Sequence, residues 1–501
     1  MSLWLGLDLG TQSLKAVVWR LDGEGATGEV LGAASQSYPT AYPRPGWAEQ
    51  ETQRWEAALA PAIGESLRRA GRSAAELRGL GVTGQLDGAI AVSVEGESLS
   101  PALIWQDRRA HAERPRLSAR RLQELTGQLL DASHLAPKVR VLERQLRGAG
   151  LAPARYHQPV SFLVERLTGR AVMDPSLAST TLLLELAQRR WSAELCAAWD
   201  VDARWLPELA PAGALAGDLS ARGAALTGLP RGLPVSVGTG DDFAAALGAG
   251  LTQPGRVLCS LGTAEVVGAL DPRPLLDRRP DAAPIVETHA YPTGHFFLEN
   301  PGWTCGAALR WLRRLLGVDS DAALDALAAE APPGAGGVTF FPALAGAMTP
   351  AWAPDVRGAL TGLSSEHDRG HLARAVLEGT AFACRDVIER LRALGVACER
   401  VVLSGGGSAS ELWTQLRADV TGLPHERARH ADSAAIAAAM LTAVAAGATS
   451  LDELGRLAGA PRPGAEPTAT HVEALEDAYQ RYRSASAALL GARVGRGLDE
   501  A

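Results

Sequence analysis

Two adjacent carboxylates, Asp241 and Asp242, stand in the stretch SVGTGDDFAAALG, where a strand-like run ends in glycines and a small-residue helix begins. A carboxylate placed there can cap the helix, because negative charge is favoured at a helix N-terminus. It can also project from the C-terminal end of a strand, where open α/β sheets bind their ligands. In that position it can take the proton from a hydroxyl that attacks phosphorus.

Two further segments could hold the phosphorus. LGLDLGTQSLKAVV covers residues 5–18 and CSLGTAEVVGAL covers 259–270, and each sets Leu-Gly-Thr in an apolar run. Glycine lets the backbone approach a ligand, and threonine brings a hydroxyl and an N–H, so such hairpin turns can cradle phosphate oxygens. One turn alone reads as a tight turn between buried strands. Its repetition argues for two similar halves that face one ligand. VVLSGGGSASELWTQLRAD, residues 401–419, reads as strand, Gly-rich turn and helix. Gly405 and Gly406 would let a flat base lie against the backbone there.

Other phosphate-binding devices are missing. The chain has only two lysines, Lys15 and Lys138, and neither follows a glycine, so it has no P-loop and no protein-kinase set. GEGATG, residues 23–28, fits the dinucleotide pattern but joins two strand-like runs instead of opening a helix, so it reads as a hairpin turn. A nicotinamide dehydrogenase would need that helix.

The elements that must position these residues alternate between strand and helix, which implies an α/β architecture. LWLGLDLG, KAVVWRL and EVLGAASQSYP read as a meander, followed by an amphipathic helix within residues 47–71 and a strand, LRGLGVTGQ. Residues 111–150 read as helical and 200–234 as loop, with Pro207, Pro211, Pro230 and Pro234. PVSVGTG reads as a strand, and AGLTQPG as a domain boundary near 245–255. The 501 residues exceed one ordinary core, so two domains are expected. A net charge of −7 disfavours a nucleic-acid or anionic-membrane partner. No run is long and apolar enough for a membrane span, and five scattered cysteines form no Cys-x-x-Cys pair, so a cytoplasmic protein is expected.

Together these pieces resemble the FGGY family of carbohydrate kinases, within the actin-like (ribonuclease H-like) ATPase fold, over nearly the whole chain. GALTGLSSEHDRGHLARAVLEG, residues 358–379, matches a family signature along its length: Gly358, Leu360, Gly362 and Leu363, then His371, Leu372, Ala375, Val376, Leu377 and Glu378. YPRPGWAEQETQRW, LTGRAVMDPSLASTTLLLEL and FPALAGAMTP are most similar to the xylulokinase subgroup, whereas IWQDRRA leans toward glycerol kinases. The resemblance implies two actin-like domains with a catalytic cleft between them. The expected division is 1–246 for sugar binding and the first phosphate hairpin, 255–448 for nucleotide binding, and a helical segment over 449–501. It implies ATP and Mg²⁺, a small-molecule sugar as partner and no nucleic acid or membrane, and it leaves room for a homodimer.

Carried over residue by residue, Asp241 matches the catalytic base, and Asp8 the carboxylate that positions magnesium through water. Thr11, Gln12, Gly262 and Thr263 match phosphate-contacting positions. Gly306, Arg310, Gly405, Gly406 and Ser410 fall where the family surrounds the nucleotide. Leu86, Asp87, Trp105 and Asp242, with Asp241, fall on the sugar side. Asp87 stands where xylulokinases carry His, and Asp242 where they carry Asn. An Asp carboxylate only accepts hydrogen bonds, whereas a His can donate. The expected reaction is phosphorylation of D-xylulose on its 5-hydroxyl. The alternatives are another ketose or polyol (ribulose, glycerol, erythritol) and an actin-like ATP-binding module without sugar chemistry.

Overall fold

The structure is a computed structural model in which residues 2–22, 28–279 and 283–491 are described. One seven-stranded sheet contains β1 (Ser2–Leu9), β2 (Ser13–Leu21), β3 (Glu29–Ser37), β4 (Leu77–Gly84), β5 (Leu215–Asp218), β6 (Pro234–Ser236) and β7 (Thr239–Gly240). A second contains β8 (Gly255–Leu261), β9 (Ala264–Asp271), β10 (Glu287–Ala290), β11 (Phe296–Thr304), β12 (Cys398–Ser404), β13 (His425–Arg427) and β14 (Arg462–Ala465). In the first, β1, β2 and β3 are antiparallel neighbours, while β1 pairs in parallel with β4 and β4 with β6. In the second, β8, β9 and β11 are antiparallel neighbours, while β8 pairs in parallel with β12 and β12 with β13. One topology is built twice, as two actin-like domains.

The helices that matter below are α1 (Thr52–Ala70), α2 (Leu135–Gly148), α3 (Asp241–Gly248), α4 (Gly306–Leu316), α5 (Arg369–Ala393), α6 (Glu411–Thr421), α7 (Ser433–Ala445) and α8 (Ala469–Gly491). Strand periodicity assigns the faces. Leu3, Leu5, Leu7 and Leu9 of β1 turn to the outer core with Trp55, Leu59 and Ile63 of α1. Fully burying each such leucine contributes about 1.5–3 kcal/mol. The alternate face carries Trp4, which joins a core made of α3, α7 and the second sheet's Leu258 and Val402. The α3–α7 pair therefore lies between the two sheets. It approaches so closely that a Cβ on Gly6 would stand 1.8 Å from the Ala435 carbonyl oxygen, and one on Gly248 would stand 2.0 Å from that of Ser433. Asp8 follows Trp4 and Gly6 on this inner face by the same parity.

Three segments differ from the sequence expectation. Residues 111–150 are not continuous helix: a short helix ends at Thr126, Gly127 takes φ 76°, and 127–134 form a loop before α2. PVSVGTG is broken into β6 and β7 at Gly238, whose φ is 72°. The 200–234 stretch contains β5 and a helix over Ala221–Thr227. Most of GEGATG lies outside the described residues; on either side of it, β2 and β3 pair with Arg20 opposite Glu29. After residue 449, β14 joins the second sheet, and α8 packs Leu475, Tyr479 and Tyr482 into that half's core. Among the described residues no helix is long and apolar enough to cross a membrane, and all five cysteines are buried and free.

Candidate active site

The first Gly-Thr turn is fixed from outside. Gly10 donates to the Ser13 carbonyl at 3.1 Å, the Tyr38 hydroxyl donates to the Gly10 carbonyl, and Tyr38 N–H donates to the Gln12 carbonyl at 3.2 Å. The Gln50 amide donates to the Thr11 carbonyl at 2.6 Å. Trp105, 44% exposed, donates from Nε1 to Thr11 Oγ1 at 2.9 Å. A residue expected on the sugar side thus touches one expected on the phosphate side. The Gln12 side chain is exposed.

Asp8, next to last in β1, lies directly across from Lys15 of β2, and Lys15 forms a 2.8 Å ion pair with Asp432 at the start of α7. Burial, opposed by Lys15, pushes Asp8 up to about 6, and its Oδ1 is occluded with no hydrogen-bond partner among the described residues. Asp241 and Asp242 form the first turn of α3 behind Gly240, where Leu86 lies over the Gly240 backbone. Burial, then Asp242, then Asp8 hold Asp241 well above the usual carboxylate range. Burial, then Glu299 and Asp87, push Asp242 up to about 8. Carboxylates that resist ionisation beside an unpartnered oxygen are the surroundings a hydrated dication suits: hard oxygen donors and an excess of negative charge. The residues present fit magnesium.

Asp87 sits just past β4, with its side chain largely covered, and closes a polar cluster the sequence did not reveal. His134 Nδ1 lies 3.2 Å from Asp87 Oδ1 and 2.7 Å from the Thr180 carbonyl, and its Nε2 lies 3.1 Å from the Leu129 carbonyl. Burial opposes the Asp87 charge, but His134 and then Lys138 outweigh it and hold Asp87 below its ordinary value. Burial opposes the His134 charge too, yet Asp87 lifts it to about 9. The second half adds a wall. Leu129 N–H donates to Glu287 at 2.8 Å, Gln128 reaches the Thr288 carbonyl at 2.8 Å, and Phe243 packs 5.3 Å from the ring of His289. Burial drives His289 down to about 4 and Glu299 up to about 8, so it disfavours the charged form of both members of their 3.0 Å contact. Neither Glu299 nor His289 lies in a motif, and only the pairing of β10 with β11 brings them together.

The second Gly-Thr turn, closed by Leu261 opposite Glu265, is one residue shorter than the first, closed by Leu9 opposite Leu14, and has different neighbours. Gly262 donates to the Ala264 carbonyl at 3.0 Å, and Arg310 donates to Thr263 Oγ1 at 3.1 Å. Gly306 opens α4 and donates to the Gly262 carbonyl at 3.1 Å, an approach that a Cβ, only 2.4 Å from that oxygen, would block. Gly405 adopts φ 80° where a Cβ would lie 2.6 Å from the Leu261 carbonyl oxygen, whereas a Cβ on Gly406 meets nothing. Ser410 caps α6, accepting from Trp413 N–H at 3.0 Å and donating to Asp325 at 2.7 Å. Beneath the turn, Glu265 and Arg417 of α6, both 0% exposed, form a two-pronged ion pair at 2.6 and 2.5 Å. Arg417 also lies 3.7 Å from Cys305 Sγ, next to Gly306.

The geometry divides the expected residues in two. Asp8, Thr11, Gln12, Leu86, Asp87, Trp105, Asp241 and Asp242 gather at strand ends of the first sheet. Gly262, Thr263, Gly306, Arg310, Gly405, Gly406 and Ser410 gather at strand and helix ends of the second. Comparison with known proteins follows the same division. The profile of the N-terminal domain of the FGGY family of carbohydrate kinases matches residues 3–248, and that of the C-terminal domain matches residues 257–446. The chain is 34% identical over 465 residues to a glycerol kinase of Alkalilimnicola ehrlichii, covering 89% of this chain and 91% of that one. It is 32% identical over 425 residues to a xylulose kinase of Klebsiella pneumoniae, covering 84% and 85%. The crystal structure of xylulose kinase from Rhodospirillum rubrum superposes with a TM-score of 0.87 at 30% identity, covering 98% of this chain and 99% of that one.

Proposed function

The chain belongs to the FGGY family of carbohydrate kinases, and from that membership we propose that it transfers the γ-phosphoryl group of ATP to a terminal hydroxyl of an open-chain sugar, D-xylulose foremost. The observation that carries this reading is the placement of Asp241, in the first turn of α3, near enough to Asp8 for that carboxylate to raise it further, beside a Gly-Thr turn that the fold repeats.

The acceptor oxygen attacks phosphorus in line, its bond to phosphorus forms as the bond to the ADP oxygen breaks, and Asp241 Oδ takes the hydroxyl proton. Proton transfer requires ionised Asp241. The second-half group Thr263, Gly306, Arg310, Gly405, Gly406 and Ser410 surrounds the nucleotide, and Thr11 and Gln12 meet its phosphates from the first half. Asp8 would hold magnesium through water. When bound, the dication offsets charge on the phosphates and on the carboxylates around it. Leu86, Asp87, Trp105 and Asp242 face the acceptor. Closure of the two halves excludes water and so limits ATP hydrolysis, and no phosphoenzyme is formed.

Glycerol is the second reading. It is favoured by the glycerol kinase relative at 34% identity and by the Asp-Arg-Arg run after Trp105. A coupled ADP-release assay over D-xylulose, D-ribulose, L-xylulose, L-ribulose, glycerol and erythritol tests both. The highest kcat/KM on D-xylulose supports the first reading, and the highest on glycerol the second. No acceptor-dependent ADP release sinks both.

A further inference from the structure

Lys138 is the more deeply placed of the two lysines: its side chain is wholly buried in the first half, on the inner side of α2. Among the described residues no carboxylate lies within hydrogen-bond distance of it. Instead Nζ donates to three backbone carbonyls, those of Asp87 at 2.5 Å and Ile104 at 2.7 Å, and that of Ser133. An ammonium has three donors, so all are used. The three carbonyls belong to three separate loops: the turn that carries Leu86 and Asp87, the segment that leads into Trp105, and the loop that carries His134.

Asp87 needs holding. Its φ is 58°, in the left-handed region that costs most residues free energy, though Asp tolerates it better than most. Both of its backbone groups are clamped by buried side chains. Its N–H donates to Gln158 Oε1 at 2.9 Å, and its carbonyl accepts from Lys138. Its carboxylate is then aimed by that backbone at His134. Burial pulls Lys138 down to about 7, although the carboxylates of Asp87, Asp107 and Asp131 oppose the shift. A buried charge kept only for packing is better replaced by an apolar side chain.

We propose that Lys138 is a positioning residue for the acceptor: by pinning the carbonyls of Asp87, Ile104 and Ser133 together, it holds Asp87 in its left-handed conformation and sets the shape of the sugar-side wall. Lys138 does not touch the acceptor. This inference rests on the assignment of Asp87 to the acceptor side.

The test is a double-mutant cycle on acceptor KM, with Lys138→Met, Asp87→Gly and both together, using the best acceptor of the panel. Glycine at 87 needs no clamp. Lys138→Met alone is expected to raise acceptor KM on the order of tenfold, the scale of one released left-handed residue, with KM for ATP within about twofold. In the Asp87→Gly background the same change is expected to raise acceptor KM little further. A loss of packing alone would act equally in both backgrounds, so additive effects overturn the proposal. An unchanged acceptor KM in folded Lys138→Met overturns it as well. If Lys138→Met does not fold, Gln158→Leu, which frees the other backbone group of Asp87, takes its place in the cycle under the same criteria. A wild type that binds no acceptor by calorimetry and releases no ADP overturns the acceptor assignment and this inference together, whereas an active wild type with an additive cycle overturns this inference alone.

Discussion

The hairpin β1–β2 and the hairpin β8–β9 share a Leu-Gly-Thr turn, a parallel neighbour on one side and an antiparallel one on the other. They differ in the charge of the cross-strand pair just before the one that closes the turn. In the first hairpin Asp8 faces Lys15, and in the second Ser260 faces Val266. The strands beside them differ in the same sense. Gly84, paired with Leu9, leads to Leu86 and Asp87, whereas β12 leads into Gly405, Gly406 and Gly407. One copy ends in carboxylates and the other in bare backbone. A duplicated scaffold supplies two similar turns, and the side chains at the strand ends divide the work: charge for chemistry in the first half, room for a flat ligand in the second. The second half buries its own charge, Glu265 with Arg417, beneath the turn and away from the cleft.

The sharpest way to break this division is Asp241→Asn. If the chemistry lives at the first half's strand ends, kcat falls by roughly 10²–10⁴, the usual worth of a general base, while ATP affinity by calorimetry stays near that of the wild type. Near-normal turnover in Asp241→Asn together with its loss in Asp242→Asn would move the base to the neighbouring carboxylate.

Next in size is the strut of the second half. Arg417→Met leaves Glu265 buried and unpaired, a change that costs about 3–5 kcal/mol, whereas replacing both partners with apolar residues is often neutral. Denaturant unfolding is therefore expected to show a large loss for Arg417→Met and recovery of most of it in Arg417→Met/Glu265→Leu. If the double variant is as unstable as the single, Arg417 acts through more than this pair.

A smaller effect probes what the two turns share. A bulky side chain at either threonine, Thr11→Phe or Thr263→Phe, is expected to weaken ATP binding by roughly tenfold while acceptor KM changes less in Thr263→Phe than in Thr11→Phe. The asymmetry follows from the bond between Trp105 and Thr11, which has no counterpart on Thr263, whose hydroxyl meets Arg310. Unaltered ATP affinity in both variants would reduce them to ordinary turns.

Local signals carried much of this fold in the sequence. Period-two leucines at positions 3, 5, 7 and 9 announce β1, and the repeated Leu-Gly-Thr announces the duplication. Asp241 and Asp242 were legible because strand, glycines and helix adjoin in the chain. Lys138, His134, Glu299 and Arg417 were not. Lys138 and His134 meet Asp87 from 51 and 47 positions away and Arg417 meets Glu265 from 152, while Glu299 meets His289 only through the pairing of β10 with β11. Nothing in an Arg- and Leu-rich stretch distinguishes a buried lysine from a surface one. The loop over 127–134 was hidden too, because a single glycine in a helical pattern is tolerated more often than it ends a helix.

The smallest effect concerns stability against pH, and it follows the charge division. In the first half's cleft, burial raises Asp8 to about 6 and Asp242 to about 8, and across from them it raises Glu299 to about 8. The folded state therefore holds these protons more tightly than the unfolded chain. Such groups contribute stability that is complete below the ordinary carboxylate range and is lost as pH rises through the folded values. His134, raised to about 9, adds to the decline above its ordinary value, whereas Lys138, lowered to about 7, opposes it from that pH upward. His289 is lowered to about 4, so its contribution makes stability rise with pH between there and its ordinary value and is complete above it. Three groups thus pull downward between about pH 6 and about pH 8 against one, so the ligand-free protein is expected to lose stability across that window. The slope is shallow, because Asp242 is only half-buried and solvent screens it. Asp242→Asn removes one titrating group and its repulsion of Asp241 and Glu299, so its unfolding midpoint is expected to vary less with pH than that of the wild type. Equilibrium unfolding of both proteins across the window measures this directly. Parallel curves for the two would mean that Asp242 is ionised in the folded protein throughout, and the crowding of charge at the first half's strand ends would then be relieved by something other than a retained proton.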